Sequence, residues 1–281
     1  MIVPGSNSQA VAAELAARLD EPLAEVEYRR FADGELLVEV PPQDGRAVVV
    51  AATATSDAHV QLLQLQDAVR EAGATEVVTV IPYMGYARQD EAFAEGQPVS
   101  ARAMAKAIST GTDRVLTVTP HEPAIAEFFS VPTTAVDGGQ VLAEPLPADL
   151  VDPVFLAPDH GAIDLAEAVR DAYGRGETDA FEKRRDRDTG EIEIEPAEID
   201  VADRDLVVVD DIIATGGTMS GAIAALGERP ERVFVGTVHP LLVDGALSKL
   251  TNAGVEKIYG TDTIERSVSA VSVAPAIADS L

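Results

Sequence analysis

Two adjacent carboxylates, Asp210 and Asp211, stand shortly before a run of hydroxyl residues and glycines, Thr215-Gly216-Gly217-Thr218. Glycines let backbone N–H groups turn toward an anion with no Cβ in the way. A helix opening behind such a loop adds unpaired N–H donors and a partial positive charge. Thr215 and Thr218 add hydroxyl donors. The combination suits a phosphate in the loop, and the two carboxylates suit the hydroxyls of a sugar attached to it. A second dense run is Lys183-Arg184-Arg185 with Arg187, the one dense basic cluster in the chain. An arginine fork and a lysine point charge both fit phosphoryl oxygens. Taken locally, the same residues also fit a solvated basic turn.

Such a loop needs a rigid strand before it and a helix after it. Residues 206–209 are Leu-Val-Val-Val, the continuous apolar run of a parallel strand covered on both faces. Met219, Ile223 and Leu226 share one face of the helix expected to follow. The same alternation runs along the whole chain. Strands are predicted at 47–52, 77–81, 114–118, 154–157, 233–238 and 257–259, and helices at 59–72, 100–109, 164–173 and 246–253, with Ser100 as an N-cap. This pattern predicts an α/β fold of mainly parallel sheets flanked by helices. Gly138, Gly139, Pro145, Pro147 and Pro153 interrupt it. Two domains are therefore expected, residues 1–140 and 141–281, similar enough in layout to suggest an internal duplication. Residues 191–195, Glu-Ile-Glu-Ile-Glu, alternate strictly and predict a strand with an acidic solvent face.

The 281 residues include 48 acidic and 21 basic side chains, for a formal net charge of −27. Lysine occurs only as Lys106, Lys183, Lys249 and Lys257. The carboxylates are spread along the chain and form no tail. Such a chain repels itself in dilute buffer, whereas at about 1 M salt the Debye length falls to about 3 Å and screens the repulsion. The charge predicts a salt-adapted, halophilic host, with an acidic face for a basic partner as the second reading. It disfavours nucleic acid as a partner. The absence of cysteine excludes disulfides and thiolate metal sites. No apolar run reaches membrane-spanning length and residues 1–30 lack a basic-then-apolar leader, so a cytoplasmic location without a membrane partner is expected.

The acidic pair and its threonine–glycine turn resemble the ribose-5-phosphate or phosphoribosyl-pyrophosphate loop of type I phosphoribosyltransferase folds. Further segments narrow the resemblance. They are Gly5-Ser6-Asn7-Ser8, Phe31-Ala32-Asp33-Gly34-Glu35, Pro82-Tyr83-Met84-Gly85-Tyr86-Ala87-Arg88-Gln89-Asp90, His121 ahead of Phe128-Phe129, Pro158-Asp159 with Gly161, Lys183-Arg184-Arg185 and Thr261-Asp262-Thr263-Ile264. In this order they resemble the phosphoribosyl-pyrophosphate synthetases, or ribose-phosphate pyrophosphokinases, in an archaeal-like form. The resemblance covers essentially the whole chain. Its most specific pieces are the Pro82 to Asp90 run and the acidic phosphate loop.

The resemblance implies two tandem type I phosphoribosyltransferase-like domains. The first would carry the ATP loops, and the second the ribose-5-phosphate loop and a catalytic flexible loop. It implies transfer of the pyrophosphoryl group of ATP to the C1 hydroxyl of ribose 5-phosphate, releasing AMP. Lys183 and Arg185 would be the catalytic cations, with Arg185 also at ribose 5-phosphate. Phe31, Asp33, Gly34, Glu35, Arg88 and Gln89 would bind ATP. Asp210, Asp211, Thr215, Gly216, Gly217 and Thr218 would bind ribose 5-phosphate. His121 and Asp159 would face a Mg2+ cofactor. The Phe31 loop would reach the ATP site of a neighbouring subunit, implying a homo-oligomer, at least a dimer. On residue type alone, Phe31 also fits a core aromatic and His121 an ordinary strand-end histidine.

The chain departs from the family pattern at four places. Thr119 stands where an aspartate is common, and Ala162 where a second glycine is common. Ala214 replaces a frequent aspartate, and Glu91 a frequent basic residue. Two alternatives therefore accompany the active synthetase: a non-catalytic regulatory paralogue, and a phosphoribosyltransferase, which has no need of Phe31, Arg88 or Gln89.

Overall fold

The computed structural model describes residues 1–185, 192–195, 199–226 and 229–281, with backbone alone at 182–185 and 192–195. The first part of the chain runs through β1 (Ile2–Pro4), α1 (Gln9–Leu19), β2 (Glu27–Arg30), β3 (Leu36–Glu39), β4 (Gly45–Val50), α2 (Ser56–Glu71), β5 (Ala74–Ile81), α3 (Ser100–Ser109), β6 (Arg114–Val118) and β7 (Thr133–Val136). A five-stranded sheet in the order β1-β4-β5-β6-β7 is parallel throughout. Val48, Val49 and Val50 of β4 are all fully buried, as strands covered on both faces require. Leu62, Leu65 and Val69 of α2 and Ala105 and Ile108 of α3 complete this core. The strands β2 and β3 form a separate antiparallel hairpin.

The second part contains β8 (Val154–Ala157), α4 (Ile163–Tyr173), β9 (Glu177–Ala180), β10 (Glu182–Arg185), β11 (Ile192–Glu195), β12 (Asp205–Ile213), α5 (Gly217–Ala224), β13 (Arg232–Pro240), α6 (Ala246–Asn252), β14 (Lys257–Thr261) and β15 (Ser269–Val271), and the chain closes with α7 (Ala274–Ala278). Six of these strands form a parallel sheet in the order β15-β14-β13-β12-β8-β9. Among the described residues the strands β10 and β11 pair only with each other, antiparallel. The strand expected over 191–195 is thus present at Ile192–Glu195; Glu191 and Arg187 lie outside the described residues.

One compact unit comprises Met1–Gly138, Asp262–Glu265 and Ser272–Leu281, and the other Gly139–Thr261 and Arg266–Val271. This differs from a single cut after residue 140, because the end of the chain returns to the first unit. Asp262 Oδ1 accepts the Val273 N–H at 2.9 Å. Glu265 Oε1 accepts the Ala10 N–H at 2.6 Å. Arg114 donates to the Ser280 carbonyl at 2.7 Å. The Thr261 to Ile264 motif therefore contributes, through Asp262, to fastening the C-terminal segment.

Two local expectations are corrected. The N-cap of α3 is Val99, without a side-chain cap, and Ser100 Oγ instead donates to Gln89 Oε1 at 2.8 Å. The strand β12 continues beyond the apolar run through both aspartates to Ile213, because Ile212 and Ile213 still pair with His239 and Pro240 of β13.

At the start of β12, the fully buried Asp205 takes a two-point ion pair from Arg232, at 2.9 and 2.6 Å, and accepts the Val151 N–H at 2.6 Å. Burial pushes this carboxyl up, but the Arg232 and Val151 hydrogen bonds and the Arg232 charge outweigh it, so the net position is below the usual 3.8. Its stabilisation is present above the unfolded-state value and is lost as pH falls through the lower folded-state value. Asp205→Ala is expected to lower the thermal midpoint at pH 7 by several degrees. The difference from wild type should shrink on acidification in a calorimetric pH series.

Candidate active site

In the second unit the strand order reverses. The chain passes from β8 outward to β9, then returns to the other side of β8 for β12 and continues through β13, β14 and β15. Open parallel sheets bind ligands beyond the carboxyl ends of their strands at such a reversal. Asp159 follows β8, and Asp210 and Asp211 lie near the end of β12. Asp159, expected at the metal, and Asp210 and Asp211, expected at the sugar, therefore lie at the strand ends that the topology marks.

Asp159 Oδ1 accepts the Gly161 N–H at 2.9 Å and so caps the short 3-10 turn behind β8. Half-buried Asp210 accepts the Asp211 N–H at 3.0 Å. The Asp210 carboxyl stands well above 3.8. Burial is the largest cause, followed by the Asp211 charge and side-chain hydrogen bond and the Asp159 charge, against a smaller opposing pull from the Asp211 N–H. A cluster that resists its own ionisation is prepared for a cation or for hydroxyl donors.

The loop behind β12 is built to keep backbone close to a ligand. Gly216 is the N-cap of α5 with φ at 71°, and an added Cβ would lie 3.3 Å from both the Ala246 carbonyl oxygen and Leu250 Cγ. Thr215, Gly217 and Thr218 are exposed. Gly217 N–H reaches Thr215 Oγ1 at 3.4 Å. Lys249 of α6 donates to the Thr215 carbonyl at 3.2 Å. Sequence reasoning missed this lysine; its one signal was rarity, since the chain has four. Lys183 and Arg185 occupy alternate positions of β10, paired in register with Ile194 and Ile192. Their side chains, and with them the expected catalytic contacts, lie outside the described residues.

In the first unit, Phe31 sits at the tip of the β2–β3 hairpin and is 53% exposed, which removes the core reading of this aromatic. The turn is closed by Phe31 N–H to Glu35 O and Gly34 N–H to Phe31 O, both 2.9 Å. Asp33 Oδ1 accepts the Glu35 N–H at 3.2 Å. Arg88 is exposed and Gln89 half-buried in the loop after β5. Gln89 does structural work as well: its carbonyl takes the Ala101 N–H at 3.1 Å, satisfying a first-turn donor of α3. His121 is exposed, just past β6.

Among the described residues no helix is long and apolar enough to cross a membrane, and no group of three or more His, Asp or Glu side chains forms a ready-made metal cage.

Fold and site together define an α/β protein of the type I phosphoribosyltransferase class. A model described as the N-terminal domain of ribose phosphate pyrophosphokinase matches residues 1–111, and a phosphoribosyl transferase domain model matches 143–263. The ribose-phosphate pyrophosphokinase of Halobacterium salinarum is 64% identical, with 100% of each chain covered. That of Methanothermobacter thermautotrophicus is 41% identical, with 99% of each covered. The solved phosphoribosylpyrophosphate synthetase of Mycobacterium smegmatis superposes with a TM-score of 0.83 at 26% identity, covering 100% of this chain and 96% of that one. The chain belongs to the ribose-phosphate pyrophosphokinase family.

Proposed function

We propose that this protein transfers the pyrophosphoryl group of ATP to the C1 hydroxyl of ribose 5-phosphate, giving phosphoribosyl pyrophosphate and AMP. The observation that carries this function is the gathering of Asp159, Asp210 and Asp211 with the N-terminal loop of α5 at the strand-order reversal, in a chain 64% identical over its whole length to a ribose-phosphate pyrophosphokinase. A phosphoribosyltransferase would leave the exposed Phe31 hairpin and the Arg88 loop without a task.

The C1 hydroxyl gives up its proton to solvent as its oxygen forms a bond to the β-phosphorus. The bond from that phosphorus to the oxygen bridging the α-phosphorus breaks, and AMP leaves with the bridging oxygen. Asp210 and Asp211 accept hydrogen bonds from the ribose hydroxyls. Thr215, Gly216, Gly217 and Thr218 hold the 5-phosphate through backbone N–H groups and hydroxyls, helped by the helix terminus. Phe31 offers adenine an aromatic face, Asp33, Gly34 and Glu35 polar contacts, and Arg88 and Gln89 contacts to base and phosphates. Lys183 and Arg185 place positive charge where the transferring oxygens gain negative charge.

The donor set fits magnesium. Asp159 supplies a hard oxygen beside an already crowded carboxylate pair, and magnesium is held by one or two carboxylates plus substrate phosphates rather than by an all-protein cage. Asp159 would hold it as a hard oxygen ligand, and His121 keeps the metal-facing role that the family resemblance implies, an imidazole being an unusual direct ligand for this ion. When bound, the ion neutralises phosphoryl oxygens. The protein would work in the cytoplasm of a salt-adapted cell, as a homo-oligomer of at least two subunits in which Phe31 completes a neighbour's nucleotide site. The exposure of Phe31 and the net charge of −27 support these two features.

The test is to incubate the purified chain in multimolar KCl with ATP, Mg2+ and ribose 5-phosphate. AMP is expected only when the sugar is present. Sugar-independent AMP, or no AMP together with nucleobase-dependent pyrophosphate release from phosphoribosyl pyrophosphate, contradicts the proposal.

A further inference from the structure

Tyr86 has φ at 63°, the left-handed region, which an aromatic residue adopts only when its surroundings impose it. Its side chain is 45% exposed, so burial does not impose the conformation. Both flanks of the loop are fixed. Gly85 N–H donates to Thr53 Oγ1 at 3.0 Å, and a Cβ at Gly85 would stand 2.0 Å from the Thr53 carbonyl oxygen. Gln89 is tied to the start of α3 through Ala101 N–H and Ser100 Oγ. Between these anchors, Gln89 N–H donates to Tyr86 O at 3.1 Å, so the Tyr86 backbone sets the turn that carries Arg88.

Two residues from the start of α2 hold Tyr86. The His59 imidazole lies against its ring, with centroids 5.3 Å apart and planes tilted by 51°. Ser56 Oγ and the Tyr86 hydroxyl share a hydrogen bond of 2.8 Å. His59 itself is 6% exposed, and its imidazole meets the Gly85 backbone as well as the Tyr86 ring. An apolar residue of similar size keeps the packing and gives up only that polar contact. Between Ser56 and His59, Asp57 pairs with Arg30, which also donates to the Gly34 carbonyl at 2.7 Å in the Phe31 turn. One helical turn thus touches both loops assigned to ATP.

We propose that His59 is a positioning residue: with Ser56 it holds Tyr86 in the left-handed conformation and so presents Arg88 and Gln89 to the nucleotide. Burial pushes the imidazole down to about 4, against a weaker opposing pull from the Gly85 backbone. The ring is therefore neutral at physiological pH and packs on Tyr86 as an uncharged plane. The inference rests on the assignment of the Arg88 loop to ATP.

The experiment measures KM for both substrates, kcat and the thermal midpoint in His59→Leu, Tyr86→Ala, the double variant and His59→Phe, with Arg88→Ala alongside. His59→Leu should raise the KM for ATP about tenfold and leave that for ribose 5-phosphate within about twofold, with a thermal midpoint close to that of the wild type. Tyr86→Ala, which removes the ring and hydroxyl but keeps a Cβ that disfavours the left-handed region, should act similarly, and its surface position leaves folding intact. The double variant should be no worse than the larger single, because both act through one contact. His59→Phe, which restores a ring, should recover most of the ATP affinity. An unchanged KM for ATP in His59→Leu, equal changes for both substrates, or effects that multiply in the double variant would overturn the inference. If Arg88→Ala weakens ATP while His59→Leu does not, only this inference fails. If Arg88→Ala leaves ATP unaffected, the nucleotide assignment fails with it.

Discussion

Lys183→Ala is expected to lower kcat by about 10²-fold or more while leaving the thermal midpoint and both KM values near those of the wild type. Phosphoryl transfer asks little covalent chemistry of a protein. It asks for positive charge placed in advance where the transition state gains negative charge. In a chain with net charge −27, the segment containing Lys183, Arg184, Arg185 and Arg187 is the one place where cations are dense. Lys183 lies on β10, which among the described residues pairs only with β11, outside both parallel sheets. Its loss should therefore spare the cores. Lys183→Arg should recover part of the rate, since charge returns but the compact ammonium geometry does not. Single-turnover measurements with saturating substrates separate the chemical step from binding. Near-normal turnover in Lys183→Ala would remove the catalytic assignment.

Asp210→Asn is expected to move activity and stability in opposite directions. Burial first, then the charges and hydrogen bond of Asp211 and the charge of Asp159, hold the Asp210 carboxyl well above 3.8. The folded state thus binds a proton more readily than the unfolded state. The resulting destabilisation is complete above the folded-state value and disappears as pH falls below about 3.8. Asparagine removes the charge and keeps an oxygen to accept the Asp211 N–H, now bonded at 3.0 Å. Stability without substrate should rise by about 1 kcal/mol at pH 7 and converge with wild type in acid. Turnover should fall by about 10²-fold, because a charge-assisted hydrogen bond to a ribose hydroxyl is lost. Calorimetry and initial rates on the same samples decide the point. A destabilised variant at neutral pH would show that the three carboxylates do not repel as described. Asp205→Ala is the opposite control, since its carboxyl is held low by Arg232.

The parallel strands were largely legible because they are buried on both faces. The runs at 114–118 and 154–157 coincide with β6 and β8, where no polar solvent face dilutes the pattern. The β2–β3 hairpin was not read as strands. Glu27, Arg29, Arg30, Leu37 and Glu39 are exposed, and the inward face is only Val38 with half-buried Tyr28 and Leu36, too short a run to show alternation. Asp210 and Asp211 were placed at the right end of the right strand, yet the reversal that brings Asp159 beside them is a matter of strand order. Strand order depends on pairings between distant residues and leaves no local trace. The same holds for Lys249 under Thr215 and for His59 under Tyr86, each brought to its partner by a neighbouring helix.

Pyrophosphoryl transfer is tested by following the label of ATP that carries isotopic phosphorus in the β position. The label is expected to move with the γ-phosphorus into the sugar product, one pyrophosphoryl group per AMP formed and none in orthophosphate. Label that stays in ADP, with only the γ-phosphorus transferred, would contradict it.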